Sequence, residues 1–518
     1  MRTLKFTFLF FFFFFTAQSQ GPNIQWQKAY GGIEADQAYA VEPTSDGGYI
    51  TAGYTSSTPS GDVTSFQGGN DAWIIKTDAF GGITWQTAIG GQGYDMAKAV
   101  KQTTDGGYII TGITNSTDGD VSVNKGTTDV WVVKLSPTGS IQWEKSYGGS
   151  AGDDASSIFQ TLDGGYIVAG QSYSTDGDIT GHHGTLNHDA WVIKIDATGN
   201  LQWQRSYGGT NQEYALSIKP TSDGGFIIGG GSASPNGDVT AVFGGSDCWL
   251  VKIDALGNIQ WQKSYGGSIH EYFLEAQQTA DGGYIGIATT ESTGGDIYGL
   301  HGAIDYWVVK LNSAGNIQWQ KCLGGSNIDI PSSIFQDFDG GYVAAGYSQS
   351  NNGDSSGHIG QADYWIVKLD PTGNIKWEKS YGGTLNDFAR KIRPTPDGGY
   401  IVTGATMSNN FDVSGNHGNL DVWLVKLSFS ELLNTNENSI KNNISIYPNP
   451  AKDHINIKDI PTGSVVNITD MSGRKLFGQK YNEKNIIINI SQLINGVYII
   501  QIENKGKTIL SEKLIVKK

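Results

Sequence analysis

The chain has 518 residues, with 72 Gly, 14 Trp, 13 Pro, 2 Cys and a formal charge of −15. The glycine lacks a Gly-X-Y period, which excludes collagen, and 38% hydrophobic with 11% aromatic residues excludes a disordered chain. Two cysteines exclude a disulfide scaffold, and the acidic balance argues against nucleic-acid binding, which needs a basic face.

Arg2 and Lys5 precede an apolar run from Phe8 that ends in six Phe, and Ala17 and Ser19 are small residues ahead of Gln20. This order is that of a secretory signal peptide over residues 1–19. No later stretch is long and apolar enough to predict a transmembrane helix.

Residues 20–428 are a repeat. One set of Trp falls at 26, 85, 143, 203, 261, 319 and 377, spaced by 58 to 60 residues; a second falls at 73, 131, 191, 249, 307, 365 and 423. Each unit predicts four strands. The first covers positions such as 157–161, and an Asp-Gly-Gly hairpin (Asp46, Asp105, Asp163, Asp223, Asp281, Asp339, Asp397) follows, with Gly supplying positive φ. The second is of the type 165–170, the third holds a Trp and a Lys (131–135), and the fourth holds the other Trp (141–147). Strands this apolar must be covered on both faces. A four-stranded sheet repeated every 58 residues or so therefore predicts an all-β fold, a seven-bladed β-propeller. A lone fourth strand at 24–30 opens the array and a third strand at 422–427 ends it, so the first strand should close blade seven. An open solenoid is the competing architecture, but the unit is long for one coil. The Leu-Asp-x-x-Gly-Asn-Ile-Gln-Trp pattern resembles the blade motif of quinoprotein-type propellers, a structural likeness that brings no cofactor with it.

Three acidic positions recur in register. Asp36, Asp95, Asp153, Glu213, Glu271, Asp329 and Asp387 precede first strands. Asp71, Asp129, Asp189, Asp247, Asp305, Asp363 and Asp421 stand two before the third-strand Trp. Asp62, Asp120, Asp178, Asp238, Asp296, Asp354 and Asp412 lie in long loops. All should face one side of the ring. Sevenfold repetition suits turn formers. The loop set, with Asp118, Asp176, Asn236, Asn352 and Asn410 two residues earlier, is the candidate calcium site, since oxygen-rich loops suit that ion; no other metal or cofactor is expected. Seven of eight His fall on the same side, His182, His183, His188, His270, His301, His358 and His417, and are expected as exposed loop residues. The repeated Lys (Lys76, Lys134, Lys194, Lys252, Lys310, Lys368, Lys426) should pair with carboxylates or reach the opposite face. The Trp are expected in the core, and Cys248 and Cys322 as buried thiols. Breaks in the repetition are few: Ala288 for Gly, the extra Asn187-His188, and Pro331.

Composition shifts near residue 428. Residues 429–443 read as a polar linker. Strands are predicted at 444–447, 454–457, 464–469, 486–490, 497–503 and 508–516, a small Ig-like β-sandwich over 444–518. Tyr447-Pro448-Asn449-Pro450, the Asp470-Met471-Ser472-Gly473-Arg474 segment, Gly496-Val497-Tyr498 and the closing run with Lys513 resemble the type A C-terminal sorting domain of the type IX secretion system. The resemblance implies a Bacteroidota-type bacterium, delivery through the periplasm to the outer-membrane surface or the medium, and the secretion machinery as partner. The expected role is a non-catalytic binding or adhesion module, with a glycan or surface-protein ligand on the loop-rich face. Two alternatives compete: a polysaccharide-active lyase or glycoside hydrolase on a propeller scaffold, and a purely structural surface repeat.

Overall fold

The computed structural model describes residues 21–184, 186–429, 444–470, 475–493, 496–504 and 507–517. The expected signal peptide and most of the expected linker lie outside them. The chain divides into two units, Met1–Ser430 and Glu431–Lys518.

In the first unit, seven four-stranded antiparallel sheets follow one another. Blade one holds Asp36–Pro43, Tyr49–Thr55, Asp71–Thr77 and Ile83–Ile89. Blade seven holds Asp387–Pro394, Tyr400–Thr406 and Asp421–Ser428, and its fourth strand is Asn23–Tyr30 from the other end of the propeller. Ile24 pairs with Leu427, and Tyr30 with Val422. Trp423 Nε1 donates to Gln27 Oε1 at 2.8 Å. Blades one and seven also share a core, in which Ala38, Val41 and Trp73 pack with Ile401, Val422 and Leu424. The ring is closed and no sheet edge is left open at the junction.

Third strands are buried end to end, as in Asp129–Leu135, because a neighbouring blade covers each face. Their Trp rings are the largest fully buried side chains. Each Nε1 finds a fourth-strand acceptor such as Gln86 at 2.6 Å or Glu144 at 2.9 Å, so the ring is buried without stranding its donor. The other Trp set is not all core. Trp377 is 4% exposed, but Trp26, Trp85, Trp143, Trp203, Trp261 and Trp319 are half-buried on outer strands. Trp85 packs on Tyr108 of the next blade, centroids 5.7 Å apart. The reason is position: a fourth strand has a neighbour on one edge only.

First strands are longer than the predicted 157–161, running Asp153–Gln160 in blade three. Their leading halves carry acids and channel residues, which blur the apolar alternation. All seven are bulged near the fourth residue, between Ala155 and Ser157 in blade three. The bulge brings the first strand close to the second. A Cβ on Gly170 would meet Asp154 O at 1.8 Å, which explains glycine there; blade five instead pairs Phe273 with Ala288.

In the second unit, Ser445–Tyr447, His454–Lys458 and Ile486–Asn489 form one sheet, and Lys475–Tyr481, Ser464–Asp470, Gly496–Asn504 and Lys507–Val516 the other. Ile455, Ile457, Val466, Ile468, Ile500 and Leu514 fill the space between them. Lys475–Tyr481 is absent from the predicted strands. It is an edge strand, mostly exposed, with lysines and Gly478 in place of alternating apolar residues.

Deleting residues 20–30 should lower the melting temperature of the propeller and yield concentration-dependent self-association through the freed edge of Asp421–Ser428. Calorimetry and size-exclusion chromatography check this; a monomer of unchanged stability would contradict the latch.

Candidate binding face and central channel

Each blade junction carries the three recurring carboxylates on one side of the ring. Between blades one and two they surround the Gly90-Gly91 turn. Asp95 Oδ2 accepts the Gly91 N–H at 2.8 Å and the Ser116 hydroxyl at 2.7 Å. Asp71 Oδ2 accepts the Gln67 N–H at 2.5 Å. Loop residue Asp120 accepts the Gly90 N–H at 3.2 Å and Gln67 Nε2 at 2.6 Å. A Cβ on Gly90 would lie 2.5 Å from Asp95 Oδ2 and 2.8 Å from Asp71 Oδ1, so only glycine lets both carboxylates close on the turn. The same Gly stands between two acids at Gly31, Gly148, Gly208, Gly266, Gly324 and Gly382. The strand-heading acids of both sets are 0% exposed. Burial pushes Asp71, Asp129, Asp247 and Asp387 up to about 6, with the partner carboxylate adding to the shift.

The loop aspartates of the calcium expectation, Asp62, Asp120, Asp178, Asp238, Asp296, Asp354 and Asp412, each accept the first glycine N–H of that turn, at 3.1–3.4 Å. The earlier residues staple the same turn: Asp118 accepts the Gln92 N–H at 2.9 Å and Asn236 the Thr210 N–H at 3.0 Å. Among the described residues, no three His, Cys, Asp or Glu side chains gather into a group able to hold a metal ion.

His270, His301 and His417 are exposed as expected, whereas His182, His183 and His358 are half-buried and His188 is buried. His183, His301 and His417 accompany the third-strand Asp at 2.8, 3.0 and 2.9 Å. Their Nε2 atoms stand 3.9 Å from the next blade's loop aspartate, Asp238, Asp354 and Asp62. His188, in the inserted Asn187-His188 pair, is 2% exposed. It sits edge-on to Tyr173 and Tyr214, with centroids at 4.7 and 4.3 Å, and its Nδ1 meets Glu213 O at 2.8 Å. The opposite side is held by the repeated lysines. Each is buried and pairs with the preceding hairpin aspartate, as in Lys76–Asp46 at 2.8 Å and Lys252–Asp223 at 2.9 Å. Cys248 and Cys322 are buried free thiols.

Besides the long loops, the blades differ where their first strands line the central channel, a signal present in the sequence but hidden by its register. Because of the bulge, successive residues such as Leu216 and Ser217 both face inward. At the mouth where first strands begin, an open hollow of about 370 Å³ is lined by Tyr214, Tyr272, Leu216, Leu274, Lys98 and Asp154. Lys98 bridges to Asp154 at 2.6 Å. Tyr214 and Tyr272 meet edge to face at 5.4 Å, and Tyr272 fills the space a side chain at Gly231 would take, 2.4 Å from its Cβ position. Further round, Tyr39 pairs with Tyr54 at 6.1 Å and lies under Arg390 at 5.9 Å, and Tyr347 meets Phe388 at 4.8 Å. Deeper in the channel are charges: Glu42, Lys101, Lys219, Glu275, Lys391 and Arg393.

In the second unit the two ends of the sorting motif meet. Asn449 Oδ1 accepts the Ile515 N–H at 2.8 Å, and the Ala451 N–H donates to Ile515 O at 2.8 Å. Tyr447 is part-exposed beneath Lys458, 5.1 Å from its ring centroid. Both Pro448 and Pro450 follow cis peptide bonds. Gly496 pairs with Val516, and Tyr498, 6% exposed, pairs with Leu514. Lys513 pairs through its backbone with Ile499; Gly473 lies outside the described residues.

Two outcomes follow. Asp71, Asp129, Asp247 and Asp387 bind protons more tightly folded than unfolded, so their contribution to stability is full below about 3.8 and is lost as pH rises through about 6. The hairpin aspartates behave oppositely. Burial works against them, yet lysine, threonine and glycine donors hold Asp46, Asp105, Asp223 and Asp281 at about 2; their contribution is present above about 3.8 and lost toward 2. The melting temperature should therefore rise from pH 7 to about 5 and fall below about 4, and a monotonic rise with pH would contradict this. Calcium against chelator at constant pH should leave the melting temperature unchanged; a clear rise would place the ion in the aspartate loops.

Residues 445–517 match the secretion system C-terminal sorting domain. Regulatory protein FlaEY of Caulobacter vibrioides is 24% identical over 209 residues, 38% of this chain and 22% of that protein. The endo-acting ulvan lyase of Formosa agariphila is 38% identical over 90 residues, 17% of each chain. The chain thus spans under a quarter of the length of these curated relatives. Among solved structures, the Pan2 WD40 domain of Neurospora crassa has a TM-score of 0.41 at 10% identity, covering 78% of this chain and 97% of that one. No helix among the described residues is long and apolar enough to cross a membrane. With its seven closed blades and its matched tail, the chain is a β-propeller repeat protein carrying a type IX secretion sorting domain, the tail that implies export to the cell surface or the medium.

Proposed function

We propose that the exported propeller is a non-catalytic binding module, and that its ligand, a glycan chain, seats on the aromatic mouth of the central channel. One observation carries this reading. The blades repeat their turns and third strands but differ at the inner-strand positions, as they do in the long loops, and on the inner strands they assemble Tyr214, Tyr272, Leu216 and Leu274 beside the Lys98–Asp154 pair in one open hollow. Aromatic faces next to fixed polar groups suit a sugar ring, which has an apolar face and a polar rim. Purely structural copies have no need of such asymmetry.

The polysaccharide-active alternative draws on the ulvan lyase similarity, which covers 17% of each chain. Glycoside hydrolysis ordinarily uses two carboxylates with different protonation. Asp154 is the one carboxylate among the residues lining this hollow, and it is paired with Lys98. The junction acids are sevenfold copies spent on backbone N–H groups of the glycine turns and the long loops, which supports a role in holding turns.

Binding of the full chain to a polysaccharide panel tests the proposal. Tyr214→Ala and Tyr272→Ala should each weaken the best binder at least tenfold. Phe338→Ala, an exposed residue beside a hairpin of the opposite side, should leave binding unchanged. Unaltered affinity in both mouth variants would overturn the site, and release of new chain ends from the bound polymer would overturn the non-catalytic reading.

A further inference from the structure

The deep end of the channel holds an unbalanced set of charges. Glu275, 0% exposed, receives Lys219 Nζ and Lys391 Nζ at 3.0 Å each and Arg393 Nη2 at 3.2 Å on one oxygen. Its other oxygen accepts the Ser333 hydroxyl at 2.7 Å and the Ile334 N–H at 3.1 Å. Glu42 receives Arg393 Nε at 3.0 Å and Lys101. Four cations thus share two carboxylates, and each lysine, with three donors, has one carboxylate partner. The imbalance sits inside a channel, in a chain whose net charge is −15.

Such a group is costly to bury unless a counter-charge joins it. Burial already pulls Lys101 down to about 7 and Lys391 to about 8, against the opposing pull of Glu42 and Glu275 respectively. Space is available. A narrow chamber of about 50 Å³ runs among these side chains, and an open hollow of about 370 Å³ leads to them from the hairpin side. Lys101, Lys219 and Arg393 line that hollow with Phe159, Phe335 and Gln277. Phe159 lies under both ammonium groups, 4.6 Å from Lys101 and 5.0 Å from Lys219, so the two are held at the entrance and not extended into solvent. These residues replace one another at one register position, which holds Glu42, Lys101, Phe159, Lys219, Gln277, Phe335 and Arg393 in turn around the ring. Repetition therefore does not account for them.

We propose that this basic throat is an oxyanion site, taking a doubly charged sulfate or phosphate group that enters from the hairpin side and bonds to Lys101, Lys219 and Arg393. The anion would supply the two charges that Glu42 and Glu275 leave uncompensated. The site lies at the end of the channel opposite the aromatic mouth and does not depend on it.

Titration calorimetry of the full chain with sodium sulfate, at ionic strength fixed with sodium chloride, tests the site. One sulfate per chain is expected, and a melting temperature raised beyond that in chloride alone. Lys219→Gln leaves Glu275 paired to Lys391 and Arg393 and should weaken sulfate at least tenfold. Gln277→Glu leaves every buried pair intact, adds one negative charge at the entrance, and should weaken it likewise. Displacement of bound sulfate by a short sulfated oligosaccharide would assign the throat to the end of a longer chain; sulfate retained against it would assign a free ion. Sulfate acting no differently from chloride, or both folded variants binding it like the native chain, would overturn the proposal.

Discussion

A sheet that is apolar on both faces has to be covered on both. Third strands such as Asp129–Leu135, buried at every residue, cannot stand in an isolated hairpin or at the end of a stack. Each blade covers one face of the next, and the last uncovered face is removed by returning to the first. The rest follows from that requirement. The strand Asn23–Tyr30 must cross to blade seven, Trp423 must find its acceptor in Gln27, nearly four hundred positions away in sequence, and the inner strands must enclose a channel.

Closure also dictates the polar structure. Chain crossing from one blade to the next exposes backbone N–H groups at a crowded turn, and buried donors need acceptors. The junction carboxylates supply them to both glycines of each turn, and the missing Cβ at Gly90 and its equivalents gives two acids room to meet there. The buried lysines answer the same need on the other side by tying each hairpin to the third strand. These groups are repeated because the geometry is repeated. Their sevenfold repetition is what marks the acidic residues as turn formers when the sequence is read alone.

On the inner strands the blades differ at the positions that the repeat geometry leaves free. The bulge turns neighbouring first-strand residues toward the axis, where no blade packs against them, and there the seven copies carry tyrosine, leucine, lysine, glutamate or arginine. The channel is aromatic at one end and basic at the other. The exported tail is a separate unit in which Asn449 caps the returning last strand, so the first and last motifs of the sorting domain are one structural feature.

The order of amino acids already specifies the blade count, the closing strand, the hairpins and the sorting tail. These depend on local periodicity, turn residues and motif order, all of which are written along the chain. It also made the repeated acids, lysines and third-strand tryptophans legible as structural. The edge strand Lys475–Tyr481 was not legible, because an exposed edge has little apolar alternation to show. Nor were the burial of His188 between two tyrosines, the half-buried state of most fourth-strand tryptophans, or the channel. Tyr214 and Tyr272, or Glu42 and Arg393, lie on different blades with long separations in sequence, and each reads as an unremarkable strand residue. Packing of successive blades brings the two tyrosines together and ring closure brings Glu42 to Arg393, since distance around an axis is a property of the assembled blades and not of any one of them.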